Sequence, residues 1–134
     1  MQNGHRPVVA VVDDDEAVRE SLRFLLDIAG YEVMTFDSAR EYLDHLDRQP
    51  TISGQPTTCL LLDQHMPHTT GLELLAMLRQ REMRLPTALI TGSPSPDLVR
   101  QAIALGAKQV LEKPLADDAL LRFVASAASA ACTQ

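Results

Sequence analysis

Val8-Val9-Ala10-Val11-Val12-Asp13-Asp14-Asp15-Glu16 is the stretch on which the fold turns. Its first five residues are all apolar and four are β-branched. That composition suits a strand buried on both faces, as strands are in parallel sheets covered by helices on either side. Four acids follow at once, where the carboxyl end of such a strand would open. Beyond them Val18, Leu22, Leu25, Leu26 and Ala29 recur at helical spacing, and Gly30 stands where a left-handed C-cap would stop the helix. Strand, acidic turn and amphipathic helix make one βα unit.

The pattern repeats outward from there. Tyr31–Phe36 reads as a second strand, whose Glu32 and Thr35 mark an edge. Ser38-Ala39-Arg40-Glu41 is a capping box opening a helix to about Arg48. Gln49–Thr58, with two prolines and a glycine, reads as the one long loop. Cys59–Leu62 is a third strand ending at Asp63. His65–Thr70 is a loop, and Thr70-Gly71-Leu72-Glu73 is a second capping box before a helix carrying Leu72, Leu75 and Leu78. Ala88–Ile90 is a fourth strand ending at Thr91-Gly92. Ser95-Pro96 supplies the N-cap and first position of a helix through Leu98, Ala102 and Leu105, stopped by Gly106. Gln109–Glu112 is a fifth strand ending at Lys113-Pro114, and a last helix runs from about Asp117 through Val124 and Ala128. The alternation predicts an α/β domain built on one doubly wound, five-stranded parallel sheet, with helices on both faces and right-handed crossovers.

Composition narrows the function classes. With 134 residues, 46% apolar and 22% charged, the chain has the make-up of a single soluble domain. Eighteen acids against twelve bases, a net charge of −6, argue against direct nucleic-acid binding, which calls for a basic face. No apolar run approaches the ~20 residues of a membrane-crossing helix, and Met1–Pro7 has no signal-peptide core, so no membrane association and a cytoplasmic location are expected. Cys59 and Cys132 lie far apart and are expected to be reduced.

In an open α/β sheet, ligands bind beyond the carboxyl ends of the strands. There the sequence places Asp13 and Asp14 after the first strand, Asp63 after the third, Thr91 after the fourth and Lys113 after the fifth. Asp15 and Glu16 read as ordinary helix-starting acids. Carboxylates gathered this closely repel one another unless a cation sits between them, and an all-oxygen donor set suits Mg²⁺. A carboxylate can also attack phosphorus to give an aspartyl phosphate. A metal and an ammonium would then offset charge on the transferred group, and a hydroxyl would hydrogen-bond to it. The combination points to phosphoryl capture.

At Val11-Val12-Asp13-Asp14, Leu62-Asp63 with Met66-Pro67 and Gly71, Ile90-Thr91-Gly92 and Glu112-Lys113-Pro114, the chain resembles the receiver domain of two-component response regulators. The resemblance extends from about Val8 to Val124. The Thr-Gly and Glu-Lys-Pro pieces, with Val18-Arg19-Glu20-Ser21-Leu22, look most like FixJ-type receivers. It implies a CheY-like, flavodoxin-like strand order 2-1-3-4-5 in a single receiver domain over residues 1–134, with its core at about 8–127 and no output domain in this chain. Asp63 would be the phospho-acceptor, charged by a phosphohistidine on a sensor kinase or a phosphotransfer protein. Mg²⁺, for which Mn²⁺ could substitute, would be held by the side chains of Asp14 and Asp63 and the backbone carbonyl of His65, with Asp13 acting on it largely through water. Lys113 would pair with the acids and then with the phosphoryl group. Thr91 would be the switch hydroxyl, and Lys113-Pro114 a cis peptide. The domain would catalyse only its own phosphorylation and dephosphorylation, turning over no metabolite. It would meet a second copy or a target protein through the Pro96–Leu105 helix, the Gln109–Leu111 strand and the last helix.

There are two departures from the family pattern. Val110 stands where relatives carry an aromatic residue that turns inward when the threonine moves. His65 and Ser93 flank the path of the hydrolytic water and would tune the lifetime of the phosphoryl group. Two alternative functions follow. One is an interaction module of the same fold that works without phosphorylation, which Val110 leaves open. The other is an aspartate-nucleophile phosphatase of the haloacid-dehalogenase type, to which Asp13-x-Asp15 would belong, although the later Asp-Asp metal motif and a cap are missing. His65 and His68 form an H-x-x-H pair interrupted by Pro67, with no third ligand. His5 and His45 read as surface residues, Met66 as a packing residue, and Gly71 as a backbone conformation that other residues resist.

Overall fold

Every residue of β1 (Val8–Val12) is buried, as a strand covered on both sides must be. The computed structural model describes residues 6–48 and 57–132. After β1 come α1 (Glu16–Ile28), β2 (Glu32–Phe36), α2 (Ala39–Arg48), β3 (Thr57–Asp63), α3 (Gly71–Gln80), β4 (Thr87–Thr91), α4 (Pro96–Ala104), β5 (Gln109–Glu112) and α5 (Asp117–Cys132). The five strands are parallel in the order β2-β1-β3-β4-β5. This is the doubly wound sheet that the alternation predicts, in the flavodoxin-like order that the resemblance implies.

Strand alternation divides the core in two. Val9, Val11, Leu61, Ile90 and Leu111 pack with Leu26 of α1 and Val124 of α5. Ala10, Val12, Leu62 and Leu89 face the other way, onto Tyr42 of α2, Leu74 of α3 and Ala102 of α4. Edge strands β2 and β5 mix exposed and buried residues, whereas β1 and β4 are buried throughout.

The helix ends follow their chemistry. Gly30 (φ +102°) and Gly106 (φ +105°) take the left-handed position after α1 and α4. In each, the next residue's N–H reaches back to the helix: Tyr31 to Leu26 and Ala107 to Ala102. Helix α3 closes in the same way through Met83 N–H and Leu78 O, but its left-handed residue is Glu82 (φ +60°). Thr70 and Glu73 form the full capping box. Ser38 caps Glu41 N–H, but the Glu41 carboxylate accepts from Asp37, one residue further out than a box requires. Ser95 caps α4 with Pro96 at its start.

Several boundaries and placements differ from the sequence expectation. Strand β3 begins at Thr57 because Val8 pairs with Thr57, ahead of a register shift that then matches Val9 to Cys59. Most of the Gln49–Thr58 loop lies outside the described residues, as does His5. Tyr31 belongs to the exit of α1 rather than to β2. His45 is not a free surface side chain: it is half-buried, with its ring 5.1 Å from that of Phe36. Met66 is buried as expected, and Cys59 is a free buried thiol whose burial pushes its pKa up to about 12.

Candidate functional site

Alternation also explains why the polar residues converge. Val11, Leu61 and Leu111 face α1 and α5. Two residues further on, Asp13, Asp63 and Lys113 leave their strands toward that same side. Carboxylate oxygens of Asp13, Asp14 and Asp63 lie within 4.8 Å of one another. Asp13 and Asp63 are each only 2% exposed, whereas Asp14 is open to solvent. Lys113 Nζ lies 2.8 Å from Asp63 Oδ1 and 3.9 Å from Asp13 Oδ2. The Lys113–Pro114 peptide is cis.

The acid-bearing loops are tied down locally. Asp13 Oδ1 accepts the Asp15 N–H at 2.9 Å, and Arg19 Nη1 donates to the Asp13 carbonyl at 2.8 Å. Asp15 caps α1 by accepting from Ala17 and Val18 N–H, which is the helix-starting role expected of it. After β3, Gln64 N–H donates to Ile90 O, Gln64 O accepts from Gly71 N–H, and Gln64 Oε1 accepts from Leu72 N–H. Gly71 is needed for space, not for an unusual φ. A Cβ there would stand 2.7 Å from Asp63 O and 2.6 Å from Leu89 Cδ1, so the start of α3 presses directly on the end of β3.

Three carboxylates face one ammonium. Burial pushes the Asp13 carboxyl up to about 6, helped by the charges of Asp63 and Asp14 and opposed by the Asp15 N–H and Lys113. Burial alone would lower Lys113, but Asp63, Asp13 and Asp14 outweigh it and hold the ammonium above its usual value. Among the described residues, buried Asp63 Oδ1 has Lys113 Nζ, 2.8 Å away, as its one partner. A buried acceptor short of donors, in an all-oxygen cluster short of positive charge, fits a hard divalent cation such as Mg²⁺. Among the described residues, no group of three ligand-type side chains includes His65 or His68.

Thr91 ends β4 fully buried. Since Leu89 faces α3, Thr91 leaves the strand toward that side. Its Oγ1 accepts the Ser93 N–H at 3.1 Å and pairs with His65 Nε2 at 3.0 Å. The imidazole contact, the Gln64 knot and the Arg19 clamp escaped sequence reasoning. The first joins residues 26 positions apart and carries no local signal, and the Arg19 clamp reaches back from α1 across six positions to a residue outside the helix. Val110 is half-buried on the α3–α4 side, beside Leu89 in the ladder.

Fold and site together define a doubly wound α/β domain that gathers acids, a hydroxyl and an ammonium at the carboxyl ends of its strands. The profile of the response regulator receiver domain matches residues 9–125, and the chain belongs to that family. It is a receiver domain of two-component response regulators. It is 40% identical over 119 residues to the transcriptional regulatory protein FixJ of Bradyrhizobium diazoefficiens, covering 89% of this chain and 55% of that protein. It is likewise 40% identical to the C4-dicarboxylate transport regulator DctD of Pseudomonas aeruginosa, covering 87% of this chain and 24% of DctD. Among solved structures, Vibrio cholerae chemotaxis protein CheY4 superposes with a TM-score of 0.81 at 27% identity, covering 92% of this chain and 99% of that one. Full-length FixJ from B. japonicum superposes with a TM-score of 0.78 at 39% identity, covering 92% and 58%. The chain thus spans about half the length of FixJ.

Proposed function

We propose that the domain is a phosphoacceptor switch in which an oxygen of Asp63 takes a phosphoryl group from a phosphohistidine on a sensor kinase or phosphotransfer protein. The phosphorus–nitrogen bond breaks as the phosphorus–oxygen bond forms, and the imidazole leaves as the neutral base after gaining a proton. The observation that carries this reading is the buried Asp63 Oδ1, whose one partner among the described residues is Lys113 Nζ at 2.8 Å. It is a carboxylate oxygen held beside a positive charge and not engaged elsewhere.

Asp14 and Asp63 carboxylates and the His65 carbonyl would hold Mg²⁺ or Mn²⁺, with Asp13 acting through water. When bound, the metal supplies positive charge to the phosphoryl oxygens. Lys113 pairs with Asp63 beforehand and with the phosphoryl group afterwards. Thr91 donates its hydroxyl to that group and carries the Gly92–Ser95 loop and α4 with it, changing the surface of α4, β5 and α5 that meets a second copy, a target or an attached output domain. Ser93 and His65 set how long the phosphoryl group survives. The domain turns over no metabolite, and its partner kinase places it in the cytoplasm. Val110, packed without an aromatic ring's two orientations, transfers the output to the Thr91 loop and α4.

Incubation with acetyl phosphate and Mg²⁺, followed by intact-mass measurement, tests the reading. One added phosphoryl group is expected, lost with chelator and absent in Asp63→Asn. No capture by the unaltered protein, or undiminished capture by Asp63→Asn, would contradict it.

A further inference from the structure

Thr91 Oγ1 has one proton to give. Its oxygen already accepts the Ser93 N–H at 3.1 Å. If His65 Nε2 also donated, the hydroxyl would accept twice. Its own proton would then lack an acceptor among the described residues, in a side chain with no exposure at all. The arrangement that satisfies every group has Thr91 donating to a bare Nε2 at 3.0 Å, with the imidazole proton on Nδ1. His65 itself is exposed, so nothing in the packing forces its ring onto Thr91.

A phosphoryl group on Asp63 presents only acceptor oxygens, and it needs that same hydroxyl proton. Two acceptors therefore compete for one donor. A hydroxyl has a single proton, so Thr91 serves one of these acceptors at a time. We propose that the His65 imidazole is a brake on switching: it holds the Thr91 hydroxyl in the unphosphorylated orientation, and the phosphoryl group must take the proton from it. This inference rests on the phosphoacceptor reading above and adds a regulatory role for the ring of His65, separate from its backbone carbonyl. His65 is a positioning residue, acting through Thr91.

Beryllium fluoride, a non-covalent stand-in for a phosphoryl group on a carboxylate, measures the competition at saturating Mg²⁺. Removing the rival acceptor in His65→Phe, which keeps a ring, should tighten beryllium fluoride binding about two- to tenfold, the worth of one net hydrogen bond. His65→Gln, which keeps an acceptor on a side chain of similar reach, should stay near the unaltered protein. The Thr91 methyl resonance of the ligand-free domain should move toward its beryllium fluoride-bound position in His65→Phe and not in His65→Gln. Equal affinity in His65→Phe and the unaltered protein would overturn the brake, as would a Gln variant that behaves like Phe or an unmoved Thr91 resonance. If the unaltered protein bound no beryllium fluoride, the phosphoacceptor reading itself would fall and the brake with it. If it bound normally and only the variants failed to differ, the brake alone would fall.

Discussion

At the scale of single residues, Asp13 shows what the acidic cluster costs the fold. Its carboxyl is raised from 3.8 to about 6 by burial and by Asp63 and Asp14. The folded state therefore binds this proton more tightly than the unfolded state does. Its contribution to the stability of the metal-free protein falls as pH rises from about 4 to about 6 and stays low above that. Asp13→Asn keeps an oxygen for the Asp15 N–H while removing the charge. It should stabilise the metal-free domain by ~2 kcal/mol at pH 7.5 and much less at pH 4.5, as read by thermal melts at both values. A gain that does not shrink at low pH would contradict the assignment. Gly71 makes the opposite case. A methyl group there meets the Asp63 carbonyl at 2.7 Å, and backbone cannot swing aside. Gly71→Ala should cost about 1–3 kcal/mol in chemical denaturation, with a displaced end of β3 visible in the Asp63 and Gln64 amide resonances. Reading Gly71 from sequence alone suggested conformational freedom, because the clash depends on Leu89 and Asp63, which no neighbouring residue reveals.

Among the elements, local chemistry was legible and long-range contact was not. The alternating strands and helices, the glycine stops of α1 and α4, and the Thr70–Glu73 box follow from periodicities and caps within a few residues. The early start of β3 does not, since Thr57 and Thr58 are polar and Thr57 pairs only because Val8 of β1 lies beside it. The left-handed end of α3 was equally hidden, because Glu82 occupies a place where glycine is the usual signal. That mismatch gives a test at this scale. Glu82→Gly removes a left-handed strain of about 1–2 kcal/mol and loses part of it to chain entropy, so a net stabilisation of about 0.5–1 kcal/mol is expected in denaturant melts. An unchanged or lower midpoint would show that Glu82 is not strained. Thr70→Ala should lose about 1 kcal/mol by the same measurement, through its cap on Glu73 N–H.

For the molecule as a whole, part of the −6 charge is concentrated at the carboxyl ends of the strands, where three acids face a single lysine. A divalent cation that binds there stabilises the folded state by mass action. Mg²⁺ at about a hundred times its dissociation constant should add ~2.7 kcal/mol to the unfolding free energy, and Asp14→Asn should weaken that gain by removing a ligand. A melting temperature indifferent to Mg²⁺ would contradict the metal site. The central claim, that Asp63 carries the phosphoryl group, is tested most directly by borohydride reduction of the acetyl phosphate-treated domain. Hydride displaces phosphate from an acyl phosphate and leaves an alcohol, so peptide mapping should find homoserine in place of Asp63 and at no other aspartate. Homoserine at Asp13 or Asp14, or phosphoryl-bearing protein in which Asp63 remains unreduced, would show that the acceptor lies elsewhere.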